Sequence, residues 1–104
     1  MSNYKSFYTT KEISPAVSTL IRSFTLPAGI WILIGHLDWG SNQNCIYNFN
    51  LNDIMVRGNA SNGGGSSNCN ISSSSSQRTI NVYTYQNGSA VMTARVTIYA
   101  IKIG

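Results

Sequence analysis

Five consecutive apolar residues, Ile30-Trp31-Ile32-Leu33-Ile34, constrain this chain more than any other feature. They are β-branched or aromatic apart from Leu33, and Pro27-Ala28-Gly29 marks a turn just before them. That composition belongs to a strand. Successive strand side chains point to opposite faces, so this strand is dry on both. An antiparallel strand with one wet face would alternate instead. The run is far short of the ~20 apolar residues a membrane helix needs.

The closing segment repeats the pattern. Met92, Ala94, Val96, Ile98 and Ala100 form one face of a strand spanning Ala90 to Ile103. Val91, Thr93, Arg95, Thr97, Tyr99, Ile101 and Ile103 form the other, with little charge. A two-sheet sandwich buries one face of each sheet. The second dry faces therefore need another partner, and a second copy of the same chain is the economical one. An obligate homo-oligomer is expected, with an interface resembling a cut domain core.

The rest of the chain reads as strands and turns. No apolar stripe repeats at helical spacing, and turn signals recur at roughly eight- to twelve-residue intervals, the rhythm of an all-β sandwich or barrel. In Val17 to Leu26, Leu20, Arg22, Phe24 and Leu26 share one face, and Val17, Thr19, Ile21 and Thr25 the other. Cys45, Tyr47, Phe49 and Leu51 point inward, with Ile46, Asn48 and Asn50 outward. Asn52-Asp53 turns the chain into a short strand, Ile54 to Arg57. Gly58 to Asn68 is a flexible loop by composition, Cys69-Asn70-Ile71 a short strand, and Ser72 to Ser76 a polar tract. Arg78 to Tyr85 carries Ile80 and Val82 on one face and Tyr83 and Tyr85 on the other. Asn87-Gly88 is a hairpin signal. Residues 1–16 form an arm or a first short strand, and residues 17–104 the main domain.

Composition narrows function by exclusion. The 104 residues carry seven Lys/Arg and three Asp/Glu, a net charge of +4, with only 10% charged. Average domains hold ~25%. The basic residues are scattered, without the run or stripe of a nucleic-acid binder. Met1 to Ser6 lacks the apolar core of a secretory signal. Glu12, Asp38 and Asp53 are the only carboxylates, too few for a calcium cage and with nothing to pair any two for sugar hydrolysis. Cys45, Cys69 and His36 cannot supply a four-ligand zinc site. Both cysteines are read as unpaired, near strand ends. His36 and Asp38 share a strand face, but a triad with Ser41 rests on sequence proximity alone. A non-enzymatic protein without metal or cofactor is expected. Among the aromatics, Trp31 and Phe49 read as core. Trp39 ends its strand beside a polar loop and is the candidate ligand-facing ring.

Leu26-Pro27-Ala28-Gly29-Ile30-Trp31-Ile32-Leu33-Ile34-Gly35 resembles the start of the central strand of jelly-roll head domains at the carboxyl ends of phage tail-fibre and baseplate proteins. Ala94 to Ile103 resembles their closing strand. The same architecture occurs in the trimeric heads of complement component q and the tumour necrosis factor superfamily. The resemblance covers roughly residues 17–104. It implies an antiparallel jelly-roll β-sandwich, a homotrimer, and a virion receptor-binding domain acting outside the cell on a host-surface glycan or wall polymer. It also implies an excised domain or a very short fibre protein, because the chain begins almost at the head. Arg95, Thr97, Tyr99 and Ile101 are then expected at the trimer axis. Trp39, Asn42, Asn44 and Tyr47 are expected at the ligand, with neither nucleic acid nor membrane insertion as a partner. Two alternatives stay open. One is a purely structural trimerisation or capping domain. The other is a small monomeric lectin-like sandwich whose Met1 to Ser14 arm covers the second dry faces.

Overall fold

The computed structural model describes residues 3–40, 43–61 and 64–104. Eight antiparallel strands run β1 (Tyr4–Ile13), β2 (Thr19–Leu26), β3 (Gly29–Trp39), β4 (Ile46–Leu51), β5 (Ile54–Asn59), β6 (Ser66–Ser74), β7 (Arg78–Gln86) and β8 (Met92–Lys102). They form two four-stranded sheets. The first, sheet A, has the order β1-β8-β3-β6, and the second, sheet B, β2-β7-β4-β5. Consecutive strands mostly alternate between the sheets, which makes the sandwich a jelly roll. The expected fold class is the observed one.

The core is the set of inward positions the alternation marks. Trp31, Leu33, Leu37 and Trp39 of β3 and Met92, Ala94, Val96, Ile98 and Ala100 of β8 face Tyr47, Phe49 and Leu51 of β4 and Ile80 and Val82 of β7, all buried. Each large side chain fully removed from water contributes about 1.5–3 kcal/mol. Gly35 occupies an inward position because a Cβ there would meet the Phe49 ring at 2.9 Å and Ile98 at 3.0 Å. Asn52 and Asp53 both have positive φ, 55° and 62°. These are the values a two-residue turn needs to join β4 to β5 without splaying them.

Polar side chains close the sandwich where apolar ones run out. Asn68 is buried, and its Nδ2 donates to the carbonyls of Phe49 (3.2 Å) and Ile54 (2.8 Å) in the opposite sheet. Asn70 Nδ2 donates to the Leu51 carbonyl at 3.2 Å. Arg78 bolts β7 to the other sheet. Its guanidinium donates to Pro27 O (2.7 Å), Gly29 O (3.2 Å), Ser72 O (2.9 Å) and Ser72 Oγ (3.0 Å). Buried carbonyls without such donors would cost free energy.

Four sequence expectations need correction. The pairing of β2 with β7 shifts between Leu20 and Arg22. This β-bulge turns Ile21 into the core and leaves Leu20 39% exposed, the reverse of strict alternation. Asn87-Gly88 does not make a hairpin, because β7 and β8 lie in different sheets. Gln86 organises that crossover from a fully buried position. Its Nε2 donates to Ile13 O (3.0 Å) and Ala90 O (2.9 Å), and its Oε1 accepts from Gly88 N (2.6 Å). The Gly58–Asn68 segment is partly strand, and β6 runs nine residues through the serine tract because β3 supplies its backbone partners. Finally, of the arm or first short strand expected over residues 1–16, the structure has a strand, and a long one, β1. It pairs with β8 along its full ten residues and widens sheet A instead of covering its outer face.

Candidate functional site: the outer face of sheet A

The outward positions of sheet A line up across all four strands. Tyr4, Ile101, Ile32 and Ile71 form one row, and Ser6, Tyr99, Ile34 and Cys69 the next. Tyr8, Thr97, His36 and Ser67 form the third. Ile30 and Ile103 extend the apolar end. The face is open to solvent, with Tyr8 62% and Ile71 61% exposed. Tyr4 and Tyr99 stack with ring centroids 6.3 Å apart. Contiguous exposed apolar area of this kind marks an interaction surface.

Charge enters the face as the Arg95–Asp38 pair and as Glu12, exposed at its far end opposite Thr93. Arg95 stands opposite Asp38 in the register of β8 and β3, and its Nε lies 2.5 Å from Asp38 Oδ1. An arginine at an oligomer axis would need a counterion, and the neighbouring strand supplies one. His36 Nδ1 lies 3.2 Å from Ser67 Oγ. His36 and Asp38 share a face as expected, but Asp38 engages Arg95. Ser41 lies outside the described residues. Among the described residues, no three His, Cys, Asp or Glu side chains gather in one place.

The four residues expected at an axis, Arg95, Thr97, Tyr99 and Ile101, all lie on this outer face, Arg95 and Tyr99 exposed and the other two half-buried. The residues expected at a ligand form no exposed cluster among the described residues. Trp39 and Tyr47 are buried, packed edge to face with centroids 5.4 Å apart. The parity of β3 explains the error. Trp39 falls on the inward series with Trp31, Leu33 and Leu37, whatever the polarity of the loop after it. Tyr47 OH meets Ser66 Oγ at 2.5 Å, which satisfies the hydroxyl inside the sandwich. Asn44 is exposed, and its Oδ1 accepts from Asn59 Nδ2 and Ser61 Oγ. Asn42 lies outside the described residues.

The cysteines are both free. Cys45 is buried before β4, 3.7 Å from Met92 Sδ, and burial raises its thiol pKa. Cys69 is not near a strand end. It sits mid-β6 on the outer face opposite Ile34, because β6 is longer than the sequence suggests. The sequence alone also missed Tyr4, Tyr8 and Ile71 as members of this face. The Tyr4/Ser6/Tyr8 spacing was the available signal.

The fold and this face define a jelly-roll sandwich with a broad, solvent-exposed outer face on sheet A. No protein-family model matches the sequence, and no curated protein matches it. Among solved structures, it is similar to one described by "Bacillus endospore appendages form a novel family of disulfide-linked pili". That likeness has 10% identity, covers 100% of this chain and 96% of the other, and has a TM-score of 0.51. A second likeness is to FlhE, with 4% identity, 96% of each chain covered and a TM-score of 0.45. The former supports the β-sandwich architecture.

Proposed function

We propose that this chain is a non-catalytic, homotrimeric head domain that associates through the outer face of sheet A and presents an adhesive surface, as on a phage fibre tip or another surface appendage. One observation carries this reading: four strands aligned into one exposed face, apolar at the Ile30, Ile32, Ile71, Ile101 and Ile103 end, with Arg95 paired to Asp38 on the face itself. Four strands at ~4.8 Å spacing and eleven residues at ~3.4 Å rise give a face of about 700 Å². A stable pairwise interface uses about 800 Å² per partner, so the face matches in extent what one neighbouring copy covers, and in a trimer it would be shared between two neighbours. The trimeric state is supported by the resemblance of Leu26–Gly35 to trimeric heads. The Bacillus structure with the same fold comes from pili, which are also assemblies.

Light scattering on a sizing column tests the proposal. The expected mass is three times the 11.3 kDa chain mass, held on dilution. Tyr99→Glu, which places a charge mid-face, is expected to give a folded monomer. A wild-type monomer at high micromolar concentration would refute the assembly.

A further inference from the structure

We infer that the outer face of sheet B is a flat binding platform for a neutral oligosaccharide, built from Tyr83 and Tyr85 of β7, Asn48 and Asn50 of β4, and Arg57 of β5. The register brings together residues that lie far apart in sequence. Tyr83 stands opposite Asn50, and Tyr85 opposite Asn48. Arg57 stands opposite Asn48 on the other side, its Nε 3.3 Å from Asn48 Oδ1. Cross-strand neighbours of this kind hold their Cβ atoms about 4.5–5.5 Å apart. The two tyrosines are separated along the strand by about 7 Å, the scale of a sugar ring and its linkage.

The chemistry suits a sugar better than other partners. A pyranose has an apolar C–H face and a rim of hydroxyls. A tyrosine ring offers an apolar plane with a polar tip, and a carboxamide both donates and accepts. Both rings are partly exposed. Neither tyrosine hydroxyl nor the Asn50 amide has a side-chain hydrogen bond among the described residues, so these groups remain free to meet a ligand. Nucleic acid would require a basic stripe, and the platform holds one cation, Arg57. The margins of the platform carry exposed Leu20, opposite Tyr83 on β2, and exposed Met55, opposite Asn50 on β5. A protein partner would favour an apolar interface centre, whereas the centre here, on β4, is the two amides of Asn48 and Asn50. The platform lies on the side of the sandwich opposite the association face, so assembly through sheet A leaves it outward. This inference rests on the adhesive part of the proposed function and is independent of its assembly part. A flat single site binds weakly, and three copies raise avidity by about 10²–10⁴ where the geometry permits joint engagement.

The test is affinity electrophoresis of the full chain through gels containing yeast mannan, dextran or arabinogalactan, with the acidic polysaccharide alginate alongside. Each sample is also measured by light scattering. At least one neutral polymer is expected to retard the wild type. Tyr83→Ala and Tyr85→Ala should each weaken retardation about tenfold, Asn50→Ala by several-fold, and Tyr85→Phe, which keeps the ring, by no more than about threefold. Asn50→Ala and Tyr85→Phe supply the comparison should an alanine variant at a tyrosine unfold. Retardation of a sample that proves monomeric would uphold the platform while refuting the assembly. Absence of retardation by every neutral polymer would overturn the inference. So would unchanged binding in both tyrosine-to-alanine variants, or binding to alginate alone that salt and Arg57→Ala abolish.

Discussion

Arg95 Nε lies 2.5 Å from Asp38 Oδ1, across the β8–β3 pairing and on the outer face of sheet A. Both side chains are well exposed, so the pair contributes only about 0–1 kcal/mol to the folding of one chain. Its effect on assembly is larger, because a second copy would cover both charges. Asp38→Asn is expected to leave Arg95 without its partner and to raise the dissociation constant about tenfold or more. The double variant Asp38→Asn/Arg95→Gln should recover most of the loss. Sedimentation across a dilution series measures this, and equal dissociation constants for the single and double variants would refute it.

Asn68 replaces an apolar contact with two hydrogen bonds to the opposite sheet. Asn68→Asp removes the donor and places a carboxylate at a position buried from solvent. Destabilisation of about 2–4 kcal/mol is expected at neutral pH. Urea unfolding reports it as a lower midpoint with unchanged slope. A variant as stable as the wild type would mean the amide is incidental to closing the sandwich.

The Arg78 guanidinium reaches Pro27, Gly29 and Ser72 at once because its donors form a rigid fork. A lysine ammonium cannot span those acceptors. Arg78→Lys is expected to cost about 1–3 kcal/mol despite keeping the charge. Thermal unfolding at constant pH decides between geometry and charge. A melting temperature unchanged by the lysine would favour charge alone.

Burial raises the Cys45 thiol above its ordinary value near 9.0. The folded chain therefore keeps this proton longer than the unfolded chain does. The resulting stability is fully present below the unfolded value and is lost as pH rises through the folded one. Melting curves from pH 7 to pH 10 (about the span around a thiol's ordinary value) should decline more steeply for the wild type than for Cys45→Ala. Identical slopes would contradict this assignment.

Cys69, by contrast, points outward beside Ile34. A thiol reagent at neutral pH is expected to modify Cys69 rapidly in dilute chain and at least about fivefold more slowly once copies assemble over the face, since only the open population reacts. Concentration-independent labelling would place the interface elsewhere.

The fold class and most of the core were legible along the chain. Alternation assigned Tyr47, Phe49, Leu51, Ile80, Val82 and the Met92–Ala100 series to the interior, because side-chain direction in a strand is a local property with period two. The same rule showed that Ile30, Ile32 and Ile34 form a second apolar face. Tertiary structure decided what local rules cannot reach. The β2 bulge exchanged Leu20 for Ile21, since one extra residue reverses the strand's parity. Asn87-Gly88 became a crossover because Gln86 is held by Ile13, a residue 73 positions away. Trp39 looked exposed from its neighbours in sequence and is buried because β4 brings Tyr47 against it. The two outer faces exist only through register: Tyr4 with Ile101 on one, Tyr83 with Asn50 on the other. Which residues stand opposite one another is fixed by long-range strand pairing, and no spacing along the chain encodes it.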